Sequence, residues 1–470
     1  MRIAREPFSP LVDRFMIRWI FLLAVATLSL EASAQSWRLL HPVLAHTVIV
    51  NPQNPRTLWI GNWANQTWRS YDGGSTWDLV EIGSTDVTNF ISSMAYSSLD
   101  TNVILASGIF FDGIRRTTDG GSTWTRVYNT GSGVKAWFIS EAIIEDHSRP
   151  GVFFAARGST SFTDVWESPD NGVTWDSVGK VPTTITQRLC TITQRPDSAN
   201  IFFIGAKKGI ILRSDDRCRT WRTVPVQDGA MIVRGDAEIP KIVFSQRDPR
   251  IGYAVVAITD PDSISNNGGV LRTTDGGATW DRMAFPDTSL WALDVRTHSS
   301  GEDELFVGGF RTNNRPTTIK GDSLVFTSTN GGSTWTRYEN IPWGQNELQD
   351  TIRNAWVIRW EPKLRRVYMA AETGLFILDE PTSVANTDLP ASAGLRVVAT
   401  SDAITVTDLE DHNEPLTWSI YTMAGTQVGG GAVRDPQATV IPTDGLGQGA
   451  YLLLWSTPRR IRTATVMIQR

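Results

Sequence analysis

The sequence predicts an all-β fold, in which a seven-bladed β-propeller is followed by a small antiparallel β-sandwich. The first observation is an eight-residue phrase, S/T-x-D-x-G-x-T-W, which occurs six times with about 50 residues between copies. The second is a C-terminal run of short alternating strands separated by turn residues. A repeat of this period indicates a propeller, a solenoid or an array, and four short strands fit each repeat unit, as in a propeller.

The repeated phrase itself predicts a turn between two strands. Asp followed by Gly-Gly between β-prone runs favours a hairpin turn, because glycine takes positive φ without strain. The Asp carboxylate can accept hydrogen bonds from turn N–H groups, and the Trp opens the next strand. We therefore interpret the repeated Asp (or Asn) and Trp residues as structural: Asp72 and Trp77, Asp119 and Trp124, Asp170 and Trp175, Asp216 and Trp221, Asp275 and Trp280, Asn330 and Trp335.

This phrase resembles the Asp-box (BNR) repeat of sialidases, sortilin-type ectodomains, xyloglucanase-type glycosidases and photosystem II assembly factors. The resemblance implies a propeller, with bounds at residues 35–380. After the sixth copy, residues 355–378 supply three more strands, so a seventh blade is one strand short. The segment Ser36–Leu40 has the pattern of an outer strand. We expect it to dock beside Leu375–Leu378 and close the ring, which removes an exposed strand edge.

Both ends of the chain carry further signals. Residues 1–34 predict a signal peptide, with the apolar core Ile20–Leu30 and an A-x-A cleavage site at Ala32–Ala34; translation from Met16 would give a more ordinary signal. No other stretch approaches 18 apolar residues, so we expect no transmembrane segment in the mature chain. Residues 381–393, rich in Pro, Ser, Thr and Ala, predict a linker, and residues 394–470 predict the sandwich.

Two phrases in the C-terminal region, IYTMAGTQV and LGQGAYLLL, resemble the C-terminal sorting domain of type IX secretion. The family's usual YPNP opening is missing, and Leu389-Pro390 stands near its expected place. The resemblance implies export through the periplasm and outer membrane, and a type IX-like machinery as partner. The expected location is the medium or the outer-membrane surface.

Composition excludes several classes of partner. A formal net charge of −5 leaves no basic excess for nucleic acid or an anionic membrane. The two cysteines, Cys190 and Cys218, are too few for a disulfide scaffold, and their predicted strand positions lie beyond bridging distance. The sequence contains no metal-ligand motif, so we expect neither a metal nor another cofactor.

Catalytic signals are sparse. A sialidase needs an Arg-Ile-Pro motif, which is absent, and a xyloglucanase-type glycosidase needs two carboxylates across an open cleft. Asp86, Glu141 and Asp294 lie near the starts of inner strands and are the catalytic candidates if the protein is a glycosidase. The simpler interpretation is that they are solvated carboxylates of the propeller channel.

Strand order divides the predicted loops between two faces. The repeated turns share one face with the turns that follow the innermost strands, and the remaining loops form the opposite face, where propellers usually bind ligands. Aromatic and Arg side chains, which interfaces and sugar platforms favour, recur near that opposite face. The predicted ligand-binding residues are Trp63, Phe111 with its neighbour Phe110, Trp137, Trp291, Arg311, Arg315, Trp343 and Trp356. Alternatively, several of them pack between blades.

Together these features favour a secreted or surface-attached binding or scaffold propeller whose ligand is a protein or a glycan. The alternative is an extracellular glycoside hydrolase acting on polysaccharide.

Overall fold

The computed structural model describes residues 36–83, 89–129, 136–137, 139–158, 162–186, 188–227, 237–259, 267–298, 300–311, 321, 323–345, 352–379, 395–399, 403–408, 415–422, 425–433, 435, 439–443, 445–447, 449–458 and 460–468. Every regular element in these ranges is a β-strand. The predicted signal peptide and the predicted linker lie outside the described residues. None of the ranges contains a helix long and apolar enough to cross a membrane.

In the described residues the propeller region has thirty strands, numbered in chain order. Strands β1–β5 are Arg38–His41, Thr47–Val50, Leu58–Gly61, Gln66–Ser70 and Thr76–Glu81. Strands β6–β10 are Phe90–Tyr96, Ile104–Phe111, Gly113–Thr117, Thr125–Asn129 and Ala136–Trp137. Strands β11–β18 are Ile143–Glu145, Phe153–Gly158, Thr163–Ser168, Asp176–Lys180, Leu189–Gln194, Phe202–Ala206, Ile210–Ser214 and Arg222–Val224. Strands β19–β30 are Val226–Gln227, Ala237–Phe244, Gly252–Ile258, Gly269–Thr273, Trp280–Ala284, Leu290–Thr297, Asp303–Gly309, Val325–Ser328, Thr336–Arg337, Ala355–Glu361, Arg366–Ala371 and Gly374–Asp379.

These strands build a β-propeller of six blades when each hydrogen-bonded sheet is counted as a blade. The prediction of seven separate blades was wrong in this respect. The short strand β10 pairs with both β7 and β12, so the strands of the second and third repeats form one nine-stranded sheet. That sheet contributes two of the inner strands, and the ring of neighbouring inner strands around the channel is β2, β6, β11, β15, β20, β24 and β28.

The N-terminal strand closes the ring at the predicted place. Strand β1 pairs antiparallel with β30, with Leu39 opposite Phe376, and is the outer strand of the sheet β1-β30-β29-β28. The Arg38 guanidinium donates to the Asp379 carboxylate at 3.2 Å. Trp37 is 3% exposed and packs in the same apolar cluster as Phe376. Contacts between the two ends of the propeller therefore hold it shut.

The C-terminal region, Leu395–Ile468, continues the propeller instead of standing apart. Its strands β31–β37 are Leu395–Ala399, Ala403–Asp408, Thr417–Thr422, Gln427–Ala432, Thr439–Pro442, Gly449–Ser456 and Arg460–Ile468. Strands β31, β32 and β35 form a three-stranded sheet, whereas β33, β34, β36 and β37 join β2–β5 in one eight-stranded sheet. The prediction of a small antiparallel sandwich after the propeller is not confirmed, because one of its two sheets is continuous with β2–β5.

Candidate functional site

The polar groups of the repeated turns form hydrogen bonds with one another. In the first copy, Thr76 donates from its backbone N–H and its hydroxyl to the two carboxylate oxygens of Asp72, at 2.8 and 2.7 Å. The Gly74 N–H donates to the Ser70 hydroxyl at 2.8 Å, and the indole N–H of Trp77 donates to the Gly74 carbonyl at 3.0 Å. Both oxygens of the carboxylate are thus engaged inside the turn.

The same contacts recur along the chain. Asp119, Asp170, Asp216 and Asp275 each accept from the backbone and the hydroxyl of the Thr four residues later. Hydrogen bonds from Thr123 lower the pKa of Asp119 to about 2. The repeated aspartates therefore hold the turns, which leaves them no free carboxylate for catalysis.

Four charged side chains meet in the channel and form what we call the channel cluster: Glu141, Lys241, Asp294 and Arg359. The Glu141 carboxylate forms an ion pair with the Lys241 ammonium and accepts a hydrogen bond from the Arg359 guanidinium. Glu141 precedes β11, Lys241 lies on β20 and Arg359 lies on β28. Because these strands belong to three different sheets, the contacts cross the channel.

Asp294 on β24, the fourth member of the channel cluster, binds backbone groups. Its two carboxylate oxygens accept hydrogen bonds from the N–H groups of Val295 and Trp360, at 2.9 and 2.6 Å. Burial raises the pKa of Asp294, and the nearby charge of Lys241 opposes that shift. Burial likewise lowers the pKa of Lys241 to about 7, against the opposing effect of Asp294.

Glu141 occupies its place at a conformational cost. Its φ of 52° is in the left-handed region, which a residue with a Cβ rarely adopts. Such a conformation costs of order 1–3 kcal/mol and persists where the surroundings fix it. In this channel the two cationic partners, Lys241 and Arg359, fix the carboxylate.

Two cavities adjoin the channel cluster and share Asp294. One, of about 320 Å³, is lined by Glu141, Lys241 and the segment Arg359–Lys363. The other, of about 400 Å³, is lined by Gln194 and its surroundings. Both include residues at the carboxyl ends of inner strands, so they open towards the face of the repeated turns. That face is opposite to the predicted ligand face.

The predicted ligand face carries a connected set of rings, which we call the aromatic arc. Its members, in order of contact, are Trp63, Phe90, His46, Trp356, Trp291 and Phe310. Neighbouring ring centroids lie between 4.5 and 5.3 Å apart, within the range in which aromatic pairs attract. Several of these rings precede or begin inner strands, and the arc therefore follows the channel mouth.

Apolar side chains from further sheets extend the arc across this mouth. Ile139, Cys190 and Ala257 are almost fully buried and form one cluster with Trp291 and Phe310. Both cysteines of the chain are buried and free of a disulfide. The channel is thus lined with charge at one end and with apolar rings at the other.

The structure separates the predicted ligand-binding residues into groups. Trp63 and Trp356 are half-buried members of the arc, whereas Trp291 is only 6% exposed and Phe111 is fully buried in a core cluster. The prediction of a contact surface at Phe111 is therefore wrong, because that side chain packs between sheets. Its neighbour Phe110 is 43% exposed.

Two other predicted residues lie near the core or the rim. Trp343 packs edge-on against Phe376, with centroids 5.4 Å apart, in the cluster that closes the ring. Arg311 is half-buried, and its backbone N–H donates to the Asn354 side chain at 2.6 Å. Asp86, Arg315 and the Trp137 side chain lie outside the described residues.

Sequence reasoning missed several residues of both regions. Lys241 and Arg359 pair with Glu141, and their signal was present, since each is the only cation of its inner strand. The sequence pointed to Phe110, beside Phe111, but not to its combination of an exposed ring with a left-handed φ of 59°. That conformation leaves no trace in the sequence, because phenylalanine normally avoids it.

Metal binding finds no support in the described part of the chain. No group of three or more His, Cys, Asp or Glu side chains there is placed to hold an ion.

The comparisons with solved structures concern the fold. The chain resembles the GH74 enzyme of Niastella koreensis, with a TM-score of 0.53 and 16% identity over 90% of this chain and 74% of that chain. It resembles the GH74 xyloglucanase from Xanthomonas campestris, with a TM-score of 0.54 and 11% identity over 90% of this chain and 59% of that chain. It also resembles YCF48 bound to D1 peptide, with a TM-score of 0.50 and 13% identity over 74% of this chain and 98% of that chain.

At these identities the likeness shows a β-propeller and nothing finer. No protein-family model matches the sequence, and no curated protein matches it significantly.

Proposed function

We propose that this chain is a secreted or cell-surface binding or scaffold propeller, whose ligand contacts the face that carries the aromatic arc. The observation that carries this proposal is the state of the channel carboxylates. Both Glu141 oxygens face cations, and both Asp294 oxygens accept backbone N–H groups. Neither group is left free to attack a substrate or to transfer a proton to it.

A glycosidase needs a different arrangement. Its two carboxyl groups flank a bond of the bound sugar, one as acid and the other as nucleophile or base. In this chain the repeated-turn aspartates are bound inside their turns, and the channel pair is bound to its own surroundings. The charged residues are therefore better placed to stabilise the fold than to catalyse hydrolysis.

Binding has its own support on the opposite face. Half-buried Trp63 and Trp356, and the exposed Phe110 near the end of β7, present aromatic surface on this face, and Arg311 follows β25 on the same face. Aromatic and Arg side chains dominate the binding energy of protein interfaces. The left-handed backbone of Phe110 stores strain at an exposed position, which is typical of functional sites.

The export route belongs to the same proposal. We infer that the repeated turns are Asp-box repeats of a propeller over residues 35–380, that residues 1–34 are removed as a signal peptide, and that residues 394–470 address the chain to a type IX-like system. The sorting phrases in the C-terminal region support this route. Fusing residues 394–470 to an inert passenger tests it, since the fusion should reach the cell surface.

Two observations favour the second candidate, an extracellular glycosidase. Two of the similar solved structures are GH74 enzymes, and the half-buried Asp294, with its raised pKa, has a property of a general acid. Asp294 would then need to exchange its backbone partners for substrate.

A single pair of assays on the mature chain, residues 35–470, separates the two functions. A glycan array and a set of candidate surface proteins report binding, and a panel of polysaccharides reports the release of reducing ends. The proposal expects saturable binding without hydrolysis. Hydrolysis that disappears in Asp294→Asn or Glu141→Gln, with the fold intact, would establish the glycosidase instead.

A further inference from the structure

The outer edge of blade strand β5 is occupied by the last strand of the chain. Residues Arg460–Arg462 of β37 lie antiparallel to Thr76–Asp78 of β5. Beyond this pairing, the Thr463 N–H donates to the Ser75 carbonyl at 2.5 Å, and the Thr463 hydroxyl donates to the Gly74 carbonyl at 3.1 Å. Backbone groups that would otherwise form an open sheet edge are thus paired within the chain.

The same region covers the strand that closes the ring. Leu452 and Leu454 of β36 are buried in one cluster with Trp37 and Leu39, and Ile461 packs against it. Ile461 also packs against the separate cluster that contains Trp77. Removing the C-terminal region would therefore expose both a strand edge and the apolar band beside β1.

A third contact involves two glycines. A Cβ added to Gly425 would lie 2.7 Å from the Gly344 Cα and 2.8 Å from the Pro342 carbonyl oxygen. Real Cβ atoms essentially never approach so closely, so the turn after β33 lies directly on the propeller backbone. The φ of 78° at Gly425 adds a second reason for glycine there.

Strand β37 is held in place by contacts with the rest of the C-terminal region. The Arg462 guanidinium pairs with the Asp408 carboxylate at 2.7 Å, and the indole N–H of Trp455 donates to the same carboxylate at 2.8 Å. Arg462 is 2% exposed and Asp408 is fully buried. Strand β37 therefore reaches β5 as a preformed strand, which lowers the entropic cost of pairing.

We propose that the outer edge of β5 is a strand-addition site, occupied by β37 as a non-covalent latch over the closing strand β1. The C-terminal region stays bound after the connection through residues 380–394 is cut. The site takes an extended strand with an apolar residue opposite Trp77, so a partner strand of that chemistry displaces β37. Such a partner would add to the sheet through main-chain hydrogen bonds and one side-chain pocket.

The test starts from the full mature chain with a protease site placed within residues 381–393. After cleavage, the wild-type fragments are expected to elute together in size-exclusion chromatography at micromolar concentration. The variant Ile461→Asp, which places a carboxylate in the apolar cluster, is expected to separate. Val440→Asp is the matched control, because Val440 is 61% exposed in the same region, and its fragments should stay together. Separation of the cleaved wild type would overturn the proposal.

A competition experiment keeps the test decisive should Ile461→Asp fail to fold. A synthetic peptide of residues 460–468 is added in excess to the cleaved wild-type complex, and displaced C-terminal fragment is measured. The proposal expects displacement, with amide exchange on β1 rising at least about tenfold once the fragment leaves. The same peptide carrying Ile461→Asp should displace nothing. Equal displacement by both peptides, or by neither, contradicts the proposed site.

Discussion

The carboxylate of Glu141 accepts a hydrogen bond from the guanidinium of Arg359, across the channel and 218 residues further along the chain. The Lys241 ammonium contacts the same carboxylate from a third sheet. This arrangement ties three blades together at the channel and explains how Glu141 tolerates a left-handed backbone. It is also the main reason for assigning these charges to stability instead of catalysis.

Replacing Glu141 should therefore lower stability. Glu141→Gln leaves Lys241 and Arg359 in the channel without their anionic partner, and we expect the free energy of unfolding to fall by about 3 kcal/mol. Denaturant unfolding measures the change. Glu302→Gln, at a carboxylate that is 55% exposed, is the control and should have little effect. An unchanged stability for Glu141→Gln would contradict the structural role.

The repeated turns give a prediction with an internal control. Asp275→Ala removes the acceptor for two hydrogen bonds from Thr279 and should lower the melting temperature by about 2–4 °C. Asp275→Asn should cost less. In the sixth turn Asn330 already makes the equivalent contacts, accepting from the Thr334 N–H at 2.9 Å and donating to its hydroxyl at 2.9 Å. Equal losses for Ala and Asn at position 275 would show that these contacts do not stabilise the turn.

Acid should weaken the fold through two histidines. Burial lowers the pKa of His41 and of His46 to about 3, from the ordinary 6.5. As pH falls from 6.5 towards 3, the unfolded chain takes up protons that the folded chain does not, so stability falls in that window. At pH 5 the loss is about 2 kcal/mol for each histidine.

Denaturant unfolding at several pH values checks this slope. His41→Phe preserves a ring against Trp77, on which His41 stacks with centroids 4.7 Å apart, and should remove about half of the slope. His147→Phe, at an exposed position, should leave the slope in place. The carboxylates of the repeated turns affect stability at lower pH. For Asp275, burial raises the pKa, but hydrogen bonds from Thr279 outweigh burial and lower the pKa to about 2. A flat stability between pH 6.5 and 5 would contradict the buried neutral histidines.

Ring closure should depend on Trp37. Trp37→Ala removes a ring that is 3% exposed in the cluster with Phe376 and the C-terminal leucines, and we expect a loss of about 3–5 kcal/mol. The melting temperature and the exchange of β1 amides report this loss. Tyr71→Ala, at an aromatic residue that is 53% exposed, should change neither. A similar effect of both substitutions would mean that the N-terminal segment contributes no special closure.

The sequence predicted the parts of this fold that depend on local chemistry. Turn geometry follows from Ser/Thr, Asp, Gly and Thr at fixed offsets, and the pairing of β1 with β30 follows from the missing outer strand. The number of sheets was missed because β10 bridges two repeats through only two residues, Ala136 and Trp137. Such a short bridge has no periodicity to detect.

The docking of β37 on β5 was missed for a similar reason. Any amphipathic strand can pair with an open edge, and no residue pattern says which edge it takes. Partners within the channel cluster depend on the ring geometry, so Glu141 was found as a candidate while Lys241 and Arg359 were not. Phe110 and Phe111 were predicted together, because strand alternation cannot locate a single left-handed residue at the strand end.

Whether the ligand contacts the face of the aromatic arc is tested with two sets of variants on one binding partner, the strongest hit from the glycan array or the surface-protein set. Phe110→Ala and Arg311→Ala remove side chains from the face of the aromatic arc; Glu141→Gln and Asp294→Asn neutralise the channel cluster. Affinity is measured by calorimetry on folded full-length protein. We expect the first set to weaken binding by about 2 kcal/mol or more and the second set to leave the affinity unchanged. Unchanged binding in the first set with loss in the second would contradict this expectation.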